Sequence, residues 1–174
     1  MNSDFVLIMK MKRGDEAALE RFVRKYYQII LNYCNYHCFD GSYAEDLTQE
    51  TFARFFEKLS DYRCMGKTLN YLYTIAGNLC RDYYKKKKES LLEDEQKEPE
   101  DKAGEQEIDR VVEKNAIEEA LASLPFEMRE VIILYYFEER KLSEIADILH
   151  IGLPLVKYRI RQAKMKLKGL LKEV

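Results

Sequence analysis

Between Glu89 and Glu113 the chain changes character. Eleven carboxylates stand against three basic residues, Pro99 and Gly104 interrupt the run, and no aromatic residue occurs. A stretch so poor in apolar side chains cannot bury enough surface to offset the entropy of ordering it. The folded parts of these 174 residues are therefore expected on either side of it, as two small modules. Charge divides the same way: residues 1–88 carry net +4, residues 89–113 net −8 and residues 114–174 net +2. A basic, acidic, basic order is the pattern of two modules joined by a solvated linker. The expected flexible part runs from about Ser90 to Gly104, with helix resuming near Glu105. Plain tether and specific role are both open for it.

The flanking modules lack breakers. Seven Gly, three Pro and no Trp accompany 34% charged and 47% apolar residues. That balance favours helices and excludes sandwiches, collagen-like arrays and global disorder. No apolar run approaches the roughly 20 residues that span a bilayer. Met1 to Arg13 has neither a secretory apolar core nor a small-residue cleavage site, so a soluble cytoplasmic protein is expected.

The first module reads as helices throughout. Asp15 is placed to cap a helix in which Leu19, Phe22, Val23, Tyr26, Ile30 and Tyr33 recur at three- and four-residue steps. Ser42 and Glu45 have capping-box spacing for a second helix carrying Leu47, Phe52, Phe55, Phe56 and Leu59. After a connector from Ser60 to Lys67, a third helix is predicted from Thr68 towards Lys88. Leu72, Ile75, Ala76, Leu79 and Tyr83 form its apolar face. Its end, Arg81 to Lys88, holds five basic residues and two tyrosines. The helix macrodipole accounts for a few of these lysines but not for four in a row.

The second module has the pattern of a helix-turn-helix. Asn115 to Ser123 is amphipathic, Pro125 suits a first helical turn, and Val131, Ile132 and Tyr135 are expected to face a core. Ser143 is placed to cap a short helix carrying Ile145, Ala146, Ile148 and Leu149. His150-Ile151-Gly152 makes the turn. The last helix starts near Leu153 and has Val156, Ile160, Ala163, Leu167 and Leu170 on one face. Lys157, Arg159, Arg161, Lys164, Lys166, Lys168 and Lys172 occupy the others, with no acidic residue from Leu153 to Lys172. A capped helix, a tight turn and a basic amphipathic helix match the arrangement that lays a recognition helix in the major groove. Its cations would neutralise phosphates, and an arginine near its start would read a guanine edge.

No catalytic set appears, and neither does a Gly-rich phosphate loop, so an enzyme is not expected and no cofactor is implied. Cys34, His37 and Cys38 fall within one helical turn, but their spacing is not a zinc signature. With Cys64 and Cys80 they read as ordinary intracellular thiols.

Three stretches together resemble a known family, the sigma-70-type initiation factors of bacterial RNA polymerase, in their extracytoplasmic-function group. They are Tyr43 to Phe52 (Tyr-Ala-Glu-Asp-Leu-Thr-Gln-Glu-Thr-Phe), Tyr71 to Tyr83, and Ser123-Leu124-Pro125 through Val156-Lys157. The resemblance implies an all-α fold of two small domains. One is a region-2 helical bundle at residues 1–88, the other a region-4 helix-turn-helix at residues 113–174, and an acidic linker at residues 89–112 joins them.

The resemblance also implies roles. Asp46, Gln49 and Glu50 would meet basic groups on core polymerase, supported by Leu47 and Phe52; Asp46 and Glu50 share a helix face. The melted minus-ten strand would meet Tyr62, Arg63, Lys67, Asn70, Tyr71 and Asn78, with Arg81, Lys85 and Lys86 along its backbone. Aromatic platforms beside a basic groove are what single-stranded bases require; for Tyr71, core packing is an equally open reading. The minus-thirty-five duplex would meet Leu155, Lys157, Tyr158, Arg159, Arg161, Gln162 and Lys164. Core RNA polymerase, promoter DNA and an anti-sigma factor are the implied partners, the last able to hold the protein at a membrane. The acidic linker would thread a positively lined polymerase channel.

The chain departs from the family's pattern in places. Tyr71 replaces the usual Trp, Cys64-Met65-Gly66 replaces a common Gly-Asp-Ser, and Leu155 replaces a Thr whose hydroxyl it cannot supply. The competing reading is an autonomous helix-turn-helix regulator with a helical sensor domain. It would explain the last helix but not Asp46 to Glu50 or the basic end of the third helix.

Overall fold

The computed structural model describes residues 3–94 and 111–172, and every regular element among them is helical. The first module comprises α1 (Ser3–Lys12), α2 (Glu16–Cys38), α3 (Gly41–Glu57) and α4 (Thr68–Asp94). The second comprises α5 (Val111–Ser123), α6 (Phe126–Ile132), a π-helical turn (Ile133–Phe137), α7 (Leu142–Leu149) and α8 (Leu153–Lys172).

Helix starts follow the nearest good acceptor. The Asp15 carboxylate accepts from the Ala18 N–H at 3.1 Å, as its position predicts. At α3 the expected Ser42–Glu45 box is displaced: Asp40 accepts from the N–H groups of Ser42 and Tyr43 at 3.0 and 3.4 Å, so the helix opens earlier, at Gly41. At α7 the helix begins at Leu142, before Ser143, and the Glu144 carboxylate accepts from the Lys141 N–H at 2.9 Å. Pro125 is the N-cap of α6 rather than a residue of its first turn. His150 ends α7 in the left-handed region, φ 54°, which makes the expected turn.

One expectation about the linker changes. Helix α4 does not stop at Lys88 but continues through Ser90 and Leu91 to Asp94, since this segment holds strong helix formers and meets no proline before Pro99. Helix is present at Val111, as a resumption ahead of that position leads one to expect. The expected tether up to Gly104 and the resumption near Glu105 otherwise lie outside the described residues.

The first module is a bundle of α2, α3 and α4 with α1 along α2. Phe22, Ile30, Tyr33, Phe55, Leu72 and Ala76 are fully buried, with the Phe22 and Phe55 rings stacked at 4.8 Å. The buried stripe of α2 runs Ala18, Phe22, Tyr26, Ile30, Tyr33, so Leu19 falls beside it and is exposed. Lys12 donates to the carbonyls of Tyr62 and Ser60 at 2.5 and 3.4 Å, which ties the connector before α4 to α1.

In the second module Val131, Ile132, Ile133, Leu134, Ile145, Ile148, Val156, Ile160 and Ala163 form the core. Tyr135 was expected there and is exposed instead. A π turn takes more residues per turn than an α-helix, and this one hands the inward position to Leu134. Leu170 is also exposed; burial along α8 ends with the half-buried Leu167.

The modules pack on each other. Helices α6 and α7 lie against α4, and α5 meets α2. Phe126 stacks on His37 at 5.0 Å and Phe137 meets Tyr36 at 4.3 Å.

Candidate nucleic-acid interface

On α3, Asp46, Gln49 and Glu50 are exposed along one side, and Glu50 pairs with Arg54 at 2.9 Å. Leu47 is half-buried and Phe52 is buried beneath them, stacked with Tyr27 at 6.1 Å. The helix thus offers a polar strip on a rigid aromatic base.

The connector and α4 form a second surface. The Tyr62 and Tyr71 rings stack at 5.1 Å and both pack on Phe55. Tyr62 also donates to the Thr68 hydroxyl at 3.2 Å. The pair is therefore partly core and partly surface. Arg63, Lys67, Asn78, Lys85 and Lys86 are exposed, whereas Asn70 is buried. Asn78 accepts from Arg81 at 3.4 Å.

On α8, Leu155, Lys157, Tyr158, Arg161 and Lys164 are exposed and Arg159 and Gln162 are half-buried. The helix presents cations on the faces that Val156, Ile160 and Ala163 leave free, and its first turn holds no acidic residue. Pro154 falls in that first turn, where its missing N–H breaks no helical bond.

Several of these side chains are already partnered across the modules. Lys67 pairs with Asp147 at 2.9 Å, and Arg81 pairs with Glu130 at 2.9 Å. Glu130 also faces Arg159 of α8 at 3.7 Å. The Thr74 hydroxyl donates to the Ile148 carbonyl at 2.8 Å, and the Tyr73 hydroxyl donates to Glu138 at 2.7 Å. Glu130 is only 1% exposed. Burial drives its carboxyl up to about 7 even though the Arg81 and Arg159 charges pull it down.

Sequence reasoning missed Arg129, Glu130, Glu138, Asp147 and His37 as contact residues. A signal was present. Arg129 and Glu130 sit three and four residues after Phe126, on the face where an apolar helix buries its side chains. His37 is 4% exposed, neither ring nitrogen has a hydrogen-bond partner, and burial lowers its pKa to about 3, helped by Arg129 and Arg81.

The described residues gather no group of three or more His, Cys, Asp and Glu able to hold a metal. Cys34, Cys38 and Cys80 are buried, and burial raises the Cys38 thiol to about 11, a range in which it is not a reactive thiolate. No described helix is long and apolar enough to cross a membrane.

A helical bundle with a stacked-tyrosine connector, joined to a helix-turn-helix with a basic last helix, defines a class of two-module DNA-binding transcription factor. Comparison with known proteins gives the family. Residues 22–90 match the model of sigma-70 region 2, and residues 114–167 match that of sigma-70 region 4. RNA polymerase sigma factor YlaC of Bacillus subtilis is 30% identical, over 91% of this chain and 93% of that one. ECF RNA polymerase sigma factor SigW of the same organism is 30% identical over 96% of each. The solved structure of CnrH, in complex with the cytosolic domain of CnrY, shares the fold at a TM-score of 0.74 and 22% identity, over 97% of this chain and 96% of that chain. The chain belongs to the sigma-70 family of RNA polymerase sigma factors, in its extracytoplasmic-function group. It is a transcription initiation factor that works with core polymerase on promoter DNA.

Proposed function

We propose that the two modules divide this work as the residue assignments imply. Residues 1–88 bind core polymerase and the melted minus-ten element; residues 113–174 bind the minus-thirty-five duplex, and residues 89–112 join them. Asp46, Gln49 and Glu50 meet basic groups of the polymerase, while Leu47 and Phe52 hold their helix straight from beneath. The observation that carries this part is the exposed polar strip of α3 over buried Phe52.

Opening needs no nucleotide hydrolysis in this scheme, and the chain has no catalytic activity of its own. Tyr62 and Tyr71 give an unstacked base a platform, Arg63 and Asn78 flank it, and Lys85 and Lys86 follow the backbone. On α8, Lys157, Arg161 and Lys164 neutralise phosphates, while Arg159, with Leu155, Tyr158 and Gln162, faces base edges. Two modest DNA contacts on one chain gain affinity by linkage.

The solved relatives CnrH and RpoE of Bartonella quintana are described in complexes, with CnrY and with the anti-sigma factor NepR. By that likeness this chain works in the cytoplasm and is restrained by an anti-sigma partner, which holds it at a membrane when that partner is itself anchored.

Two substitutions test the division. Asp46→Arg weakens association with core polymerase on a sizing column while leaving the helical circular dichroism unchanged; undiminished association counts against the α3 assignment. Arg159→Ala weakens promoter binding by the holoenzyme by about 1–3 kcal/mol, the range for a base-reading arginine. An unaltered promoter affinity removes Arg159 from that role.

A further inference from the structure

A cavity of about 250 Å³ lies where the end of α2 and the later turns of α4 meet α5 and α6, walled by Phe39, Tyr83, Tyr84 and Leu91. Lys87 and Lys88, both exposed, line it from the solvent side, and the buried His37 and Arg129 line it as well. Every charged group in this lining is a cation. Two of the buried groups lack what burial requires. Arg129 is 2% exposed and donates to neutral backbone carbonyls, and no carboxylate among the described residues pairs with it. A buried charge without a counter-ion is costly. His37 has no hydrogen-bond partner at either ring nitrogen, although buried polar groups in native proteins are nearly always bonded. None of these residues is among those assigned to the polymerase or to DNA, so the site stands apart from that assignment.

We propose that this cavity is a binding site for a small aromatic carboxylate, one ring bearing one acid group. The ring packs on the tyrosines, Phe39 and Leu91. The carboxylate supplies the counter-charge that Arg129 lacks and accepts from the His37 N–H, while Lys87 and Lys88 meet it from the solvent side. Burial keeps His37 neutral, so it retains one N–H to donate. The lining selects against cations, because the ring faces already hold cations of the chain. The Arg129 guanidinium is 4.9 Å from the Tyr84 ring centroid and 5.9 Å from that of Phe39, and the Lys87 ammonium is 6.0 Å from that of Tyr83. Size selects as well. Pockets for drug-sized ligands begin at about 300 Å³, so a single ring fits here and a nucleotide does not.

The test uses the full chain with benzoate as the probe. His37 and His150 are the only histidines in the sequence, so the imidazole proton resonances are few, and those lost in His37→Phe belong to His37. Benzoate is expected to shift the His37 resonances saturably and to leave those of His150 in place. The expected Kd is on the order of 100 μM, within reach of so small a ligand. Benzamide keeps the ring without the charge and acetate the charge without the ring; each is expected to bind at least about tenfold more weakly. Titration calorimetry on variants locates the site. The double variant Lys87→Gln, Lys88→Gln weakens benzoate severalfold, and Ala122→Leu, which adds bulk at the cavity wall, abolishes binding. His37 resonances unmoved at about 10 mM benzoate, roughly a hundred times the expected Kd, overturn the proposal. So does binding of benzamide or acetate as tight as that of benzoate, or a benzoate affinity unchanged in the variants. If Ala122→Leu loses its helical circular dichroism, the lysine variant and the ligand series decide by the same readings.

Discussion

The Arg129 guanidinium donates to the carbonyl of His37, in the last turn of α2, at 3.2 Å. It also donates to the carbonyls of Leu121, Ala122 and Leu124, at 3.0, 3.5 and 3.3 Å. One buried cation thus closes the α5–α6 turn and fastens it to the other module. Its planar fork reaches four acceptors, and an ammonium on a flexible stem cannot replace it. Arg129→Lys is expected to destabilise the protein by about 2–4 kcal/mol, from lost charge-assisted bonds and carbonyls left unpaired. Urea unfolding measures it; an unchanged midpoint would show that the turn stands without the arginine.

The pH dependence of stability follows from two buried groups of opposite sense. His37 is held neutral by burial beside Arg129 and Arg81, its pKa lowered from 6.5 to about 3, so its contribution is present above pH 6.5 and fades as pH falls. Glu130 is raised from 4.5 to about 7 by burial, so its contribution is present below pH 4.5 and fades as pH rises through 7. Glu138, raised by burial, adds to the sense of Glu130. Between pH 4.5 and 6.5 the slopes of His37 and Glu130 oppose, each at most about 1.4 kcal/mol per pH unit. Glu130→Gln should therefore expose the histidine and make stability fall on acidification below pH 6.5. His37→Phe should have the reverse effect, with stability falling as pH rises towards 7. Parallel pH profiles for wild type and both variants would contradict these environments.

Tyr33 and Gly77 predict a coupled pair. The Tyr33 hydroxyl is buried with no hydrogen-bond partner, and a Cβ added at Gly77 would meet it at 3.1 Å. Tyr33 is wholly buried and has little room to retreat. Gly77→Ala alone is expected to cost about 1–2 kcal/mol, overpacking outweighing the helix propensity gained. In a Tyr33→Phe background the obstruction is gone, and the same change should stabilise by up to about 1 kcal/mol. A double-mutant cycle read by thermal unfolding checks it. Additive effects would mean the two residues do not oppose each other.

How much of this was legible in the sequence depends on the range of the interaction. The helix order, the interrupting acidic stretch and the core faces around Phe22, Phe55, Leu72 and Val156 follow from three- and four-residue spacing, because burial imposes that period. Cap positions were less legible. Asp40 competes with Ser42 within a residue or two, and only the local geometry settles which acceptor reaches the open N–H groups. Tyr135 was misplaced because a π turn breaks the period silently. Contacts between modules were not legible at all. Lys67 and Asp147 are 80 residues apart, and each alone looks like an ordinary solvated charge. The cationic faces of α8 follow from helical spacing and the polar strip of α3 from the resemblance to the family, and neither reading depends on a distant partner.

The most direct measurement is run-off transcription with purified core polymerase on promoter fragments, with and without this protein. A discrete transcript is expected only when the chain is present, lost with Asp46→Arg and reduced with Arg159→Ala. Transcription equally strong without the chain, or unaffected by Asp46→Arg, would contradict the assignment of α3 to the polymerase and with it the division of labour between the modules.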